Sequence, residues 1–159
     1  MSIQIAFSLP NVPILRQIGA IVIKHGQLEH VQKIVLKRLL KITIHDERYA
    51  HEVQGLLSRD LRKEIDAHIK TSALDQPTKA QLVKLLKEAR RVSTERNKLV
   101  HSVWSREVRN NPREGRRPLM LRDKAKAPVS IPSIADLRKL ANEIDVVRNQ
   151  LNKLSRPFL

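Results

Sequence analysis

Apolar residues recur along this chain at steps of three and four over very long stretches, and that periodicity constrains the fold more than any other feature. Ile14, Ile18, Val22, Leu28, Val31, Val35, Leu39 and Ile42 follow one another in the first such stretch. A stripe of that period is one face of an α-helix seeking a core. Asn11, or Val12 beside it, caps the start, and Pro13 falls in the first turn, where its missing N–H costs nothing. The helix is expected to run to about Lys41, with Gly26 as a point where it can bend. Only 4 glycines interrupt 159 residues, which together with the long periodic segments favours an all-α domain.

The pattern continues. Asp46 is placed to cap a second helix, with Gly55 as an interruption, and Ser58 opens a further run through Leu61, Ile65 and Ile69. Asp75-Gln76-Pro77 breaks the chain and restarts it. The third long helix is expected from Pro77 to about Val103, with Leu82, Leu85, Ala89, Val92, Leu99 and Val103 on its apolar seam. From Trp104 to Pro132 the character changes to prolines, a glycine and many arginines, which reads as a long loop with a short hairpin around Leu119-Met120-Leu121. A loop of this length inside a compact domain is usually functional or mobile. Ser133, with Asp136 three residues on, forms a variant capping box for a last helix through Leu137, Leu140, Ile144, Val147, Leu151 and Leu154. The expected fold is all-α, an antiparallel four- to five-helix bundle, with residues 1–159 as one domain and 106–132 as a basic loop.

Charge narrows the partner. Lys and Arg number 31 against 16 Asp and Glu, a formal net charge of +15. That balance favours a polyanion, nucleic acid first. Cysteine is absent, which removes disulfides, thiolate metal sites and cysteine nucleophiles and suits a reducing cytoplasm. The most apolar stretch, 12–23, is too short to span a bilayer and carries Arg16 and Gln17. Four aromatic residues leave little for base stacking. Neither a secretory leader nor a phosphate-cradling glycine loop is visible.

Arg96-Asn97-Lys98-Leu99-Val100-His101 brings together side chains that can hold a phosphate and move a proton. Positions 82, 89, 96 and 103 fall seven apart, so Arg96 stands where the seam expects an apolar residue. A guanidinium there needs a partner: a carboxylate, a second subunit or a bound phosphate. Glu29, on the edge of the first helix's stripe, is the best acidic candidate, which would make Glu29–Arg96 a structural pair. Asn97 and His101, four apart, share a face. Arg96 lies about 140° round from His101 on an ideal helix. The helix distorts, the arginine reaches round, or a second subunit completes the site. Histidine titrates near neutral pH and arginine binds phosphate bidentately, so such a cleft suits RNA cleavage without metal. Against this stands a simpler reading, with Arg96 as a strut and His101 as a helix-end cation.

The string Glu95 to Trp104, with Arg-Asn-x-x-x-His at the end of a long helix, resembles the HEPN domains (higher eukaryotes and prokaryotes nucleotide-binding). Gly26-Gln27-Leu28-Glu29 in the first helix and the loop before the last helix resemble that group too. The resemblance implies a helical homodimer with Arg96 and His101 as a catalytic pair, Asn97 as an accessory polar residue, and the motif at the dimer cleft. Many such proteins are metal-independent ribonucleases of toxin–antitoxin or phage-defence systems, and an antitoxin partner is then expected. Others are inactive scaffolds that bind RNA or protein.

Arg106, Arg109, Arg113, Arg116, Arg117 and Arg122 follow the motif and are expected to flank the cleft and attract RNA backbone. His25, His30, His45, His51 and His68 lack the spacing of helical metal ligands and read as surface or packing residues. No metal and no cofactor is expected. Trp104 reads as a core anchor or an interface residue.

Overall fold

The computed structural model describes residues 4–7, 10–43, 45–108, 118–121 and 131–158, with side chains for 10–43, 45–102 and 131–158. Four long helices make the body: α1 (Val12–Leu39), α2 (Ser58–Thr71), α3 (Gln76–Val100) and α4 (Ile134–Ser155). A π-helical turn, Tyr49–Gln54, precedes α2, and a 3-10 turn, Arg156–Phe158, follows α4. The fold is thus a helical bundle, as the periodicity requires. No helix among the described residues is long and apolar enough to cross a membrane.

The caps follow from the sequence. Asn11 Oδ1 accepts from the Ile14 N–H (3.0 Å), Asp75 Oδ1 accepts from the Thr78 N–H (2.8 Å), and Ser133 with Asp136 forms a complete reciprocal box. The end of α1 departs from expectation by two residues. Leu40 is the C-cap and Lys41 adopts a left-handed backbone, φ 54°. The Lys41 N–H reaches the Arg38 carbonyl and the Ile42 N–H reaches the Lys37 carbonyl (3.1 and 3.2 Å). This is a Schellman turn with lysine where glycine is usual. At α2 the cap is Leu57 rather than Ser58, and no side chain bonds the first turn.

Each helix buries one stripe. Ile21, Leu28, Val35 and Leu36 of α1 meet Leu61 and Ile65 of α2, Leu82, Ala89 and Val92 of α3, and Leu137, Ile144 and Leu151 of α4. Burying each Leu, Ile or Val among them is worth about 1.5–3 kcal/mol. Val22, expected on the α1 stripe, faces outward and Ile21 takes the buried place. The seam of α1 is 21, 25, 28, 32 and 35, so the polar residues His25 and Gln32 occupy core positions.

Helices α1 and α4 run in the same direction. Lys24 pairs with Asp145, Gln27 bonds Arg148, and Arg38 reaches Ser155 Oγ (2.7 Å), so partners advance together along both helices. Antiparallel packing therefore does not extend to this pair. The connection between α3 and α4 is long, residues 101–133.

Part of that connection is extended. β1 (Gln4–Phe7), β2 (Val103–Val108) and β3 (Pro118–Leu121) form a three-stranded antiparallel sheet in that order. Phe7 lies opposite Ser105, and Trp104 opposite Met120. The hairpin expected around Leu119-Met120-Leu121 is the β2–β3 pair, and β1 adds a strand that periodicity did not reveal. Pairing in this sheet also explains why α3 stops at Val100 instead of about Val103.

Candidate functional site

α3 ends at His101. Its N–H donates to the Asn97 carbonyl (3.0 Å), and its backbone has left the helical region, φ −94° and ψ 8°. The Ser102 hydroxyl donates to the Lys98 carbonyl, closing the last turn. His101 is exposed at the helix end, where unpaired carbonyls favour a cation.

One turn back, Arg96 is only partly exposed. Its Nη1 donates to Asn97 Oδ1 (2.9 Å), and its buried Nε has no partner among the described residues. Leu82 and Ala89 of the same seven-residue series are fully buried, but Arg96 lies where the seam opens into a cleft. The expected Glu29–Arg96 pair does not form. No ion pair joins them among the described residues, and the Glu29 carboxylate lies instead 3.9 Å from His25 Nδ1, one turn away on α1. Both side chains line the same cleft, and the arginine turns to its amide neighbour.

That cleft, of about 770 Å3, brings Arg96, Asn97 and His101 together within one chain. Within the chain the Arg96 guanidinium turns to the Asn97 side chain. α1 contributes His25, Gly26, Glu29, His30 and Lys33, and the start of α2 contributes Leu57, Ser58, Arg59 and Arg62. Arg90 and Ser93 complete the α3 wall. Among the described residues on the wall, Lys33, Arg59, Arg62, Arg90 and Arg96 thus face Glu29 as the lone carboxylate. So uneven a lining gives a positive potential that draws anions.

His25 forms the floor, 4% exposed. The Ser93 hydroxyl donates to the Ala89 carbonyl (2.7 Å), so it accepts from His25 Nε2 (2.9 Å). This fixes the neutral tautomer with its proton on Nε2. The other nitrogen, Nδ1, is buried without a hydrogen-bond partner. Burial lowers the His25 pKa below its ordinary value; Glu29 opposes that shift, while Arg96 and Arg62 add to it.

Several of these residues escaped sequence reasoning. Lys33 is two turns from His25 and one from Glu29. Arg90 is seven before Asn97, on the same face, and Arg59 and Arg62 are three apart. A search for charged residues at helical spacing would have grouped them. Of the arginines expected to flank the cleft, Arg106 lies in β2 opposite Pro118, its side chain outside the described residues. Arg109, Arg113, Arg116, Arg117 and Arg122 lie outside them altogether, as does the side chain of Trp104. Among the described residues no group of three or more His, Asp or Glu is placed to hold a metal ion.

No family model, curated protein or solved structure matches this chain.

Proposed function

We propose that this protein is a metal-independent endoribonuclease of the HEPN type. The observation that carries the reading is that Arg96, Asn97 and His101 line one cleft whose other charges are almost all positive. In the reaction, an imidazole takes the proton of a ribose 2′-hydroxyl, and the oxygen attacks the adjacent phosphorus. The P–O5′ bond breaks, and the leaving oxygen takes a proton from a second group. The products are a 2′,3′-cyclic phosphate and a 5′-hydroxyl. Arg96 holds the phosphate and offsets the charge that builds on its oxygens. Asn97 steadies the guanidinium. His101, the exposed imidazole at the mouth, carries one proton transfer. The other falls to His30 in the same cleft or to His101 of a second copy.

A homodimer fits this reading. Val12, Leu15, Val22 and Ile23 are exposed on one face of α1, and the same face continues through Gly26, His30 and Lys33 into the cleft. A second copy seated there would cover the apolar patch and bring two clefts together. A cytoplasmic toxin or phage-defence component, held by an antitoxin, is the setting that the resemblance implies.

The test is cleavage of single-stranded RNA in excess chelator. The parent protein should release 2′,3′-cyclic phosphate ends. His101→Ala should keep its Tm and lose about 100-fold or more in rate, the usual scale of a lost proton-transfer group. Equal cutting by His101→Ala would end the catalytic claim. The cation-rich lining, which needs no histidine, favours a second reading: an inactive scaffold that binds RNA without cutting it. In that case the parent protein binds in a salt-sensitive way and releases no cyclic phosphate.

A further inference from the structure

The cleft does not end at α2. Arg59, Arg62 and Arg90 also line a second groove between α2 and α3, of about 490 Å3, which continues along Lys63, Lys87 and Val83. Among the described residues Arg59, Arg62, Lys87 and Arg90 make no ion pair, Lys63 has a loose one with Asp60 (3.9 Å), and Asp66 is the carboxylate that lines the groove. Some cations elsewhere do have carboxylate partners: Arg91 with Glu88 and Glu143 (2.9 and 2.8 Å), Arg148 with Asp145 (3.2 Å), Arg48 with Asp46 (2.7 Å). Like charges gathered with few counter-charges repel one another, and a bound polyanion relieves that repulsion.

We propose that the α2–α3 groove is a second binding site, carrying the sugar–phosphate backbone of single-stranded RNA away from the cleft. The site rests on the ribonuclease reading for its role, and on its own charges for its ligand. Arg59 and Lys63 are one turn apart on α2, a rise of about 6 Å, so successive cations along the groove can meet successive phosphates. Two apolar side chains stand among them: Leu57 is 75% exposed at the cleft rim, and Val83 is 50% exposed in the groove. They offer contact to the faces of unstacked bases, which a duplex keeps hidden and a single strand presents. A surface that alternates cations with apolar side chains fits neither a duplex nor a purely acidic protein segment as well.

The experiment measures equilibrium binding of 2′-O-methyl RNA, which cannot be cleaved, alongside cleavage of unmodified RNA. A single-stranded 12-mer should bind at least tenfold more tightly than a 4-mer, which fills only the cleft. The double variant Lys63→Gln/Lys87→Gln touches only groove residues. It should erase most of that gain and reduce the salt-dependence slope by about 1.4, roughly 0.7 for each phosphate that the variant no longer neutralises. Its cleavage of a dinucleotide should match the parent. If the 4-mer and 12-mer bind alike, or the variant keeps the full slope, the groove is not a binding site. Equal affinity for a duplex of the same length, or equal competition by polyglutamate of the same charge, overturns the assignment to single-stranded RNA. Because binding is read with uncleavable RNA, the groove stands or falls whether or not the parent protein cuts.

Discussion

His25 holds its proton count by geometry. Ser93 occupies Nε2, the protein interior covers Nδ1, and Arg96 and Arg62 lie close enough to oppose a positive charge. The folded protein therefore resists protonating it, while the unfolded chain protonates it near pH 6.5. With the folded pKa below the unfolded one, the unfolded state binds more protons as pH falls. The stability from neutral His25 is complete above about pH 6.5 and drains away as pH drops from there towards the lower folded value. Thermal melts between pH 7.5 and 5 should show Tm falling on the acid side, and His25→Gln should flatten that slope. An unchanged slope would mean that His25 titrates alike in both states. Asp46, Asp75 and Asp136 shift downward through hydrogen bonds from Arg48, Thr78 and Ser133. Their contribution is lost only in more acid solution, below the ordinary carboxylate pKa of about 4, so the two effects separate on the pH axis.

At the scale of elements, the helix ends are where single side chains count. Ser133→Ala removes the hydroxyl that accepts from the Asp136 N–H (3.1 Å) and breaks the reciprocal box. It should cost about 1 kcal/mol by denaturant titration. Lys41 is the opposite case. A lysine in the left-handed region bears a strain of about 1–2 kcal/mol that glycine escapes, part of which glycine gives back in chain entropy. Lys41→Gly should raise stability by up to about 1 kcal/mol, and a loss instead would show that the lysine side chain stabilises the turn through its own contacts. The caps at Asn11 and Ser133 were legible in the sequence because a cap is a local pattern of side chain and spacing, whereas Asp75 stood out only as part of a break, one residue before the expected start at Pro77. The π-helical turn at Tyr49–Gln54 was not, since nothing in YAHEVQ distinguishes it from an ordinary turn. The strands were half legible: the hairpin's apolar triplet stood out, but β1's place beside β2 depends on residues about a hundred positions away.

For the whole molecule, the apolar patch on α1 predicts association. Light scattering should report a dimer, and Ile23→Glu, at a position 65% exposed in one chain, should give a folded monomer with unchanged helical circular dichroism. A parent protein that runs as a monomer would remove the second copy from the mechanism and leave His30 as the other proton-transfer group. Mixing Arg96→Ala with His101→Ala distinguishes the same two cases in a dimer: recovered cleavage means a site shared between copies, and none means that each cleft works alone.

The sequence by itself determined the helical bundle, its principal caps, the surplus of positive charge and the three motif residues. These follow from short-range periodicity and composition, which the chain carries wherever it folds. Tertiary structure alone decided that Arg96 turns to Asn97 instead of Glu29, that His25 is a buried core residue, and that Arg59, Arg62 and Arg90 join the motif in one positive cleft. Those outcomes depend on how α1, α2 and α3 rotate against one another. That rotation is fixed by core side chains meeting across helices, and no single stretch of sequence encodes it.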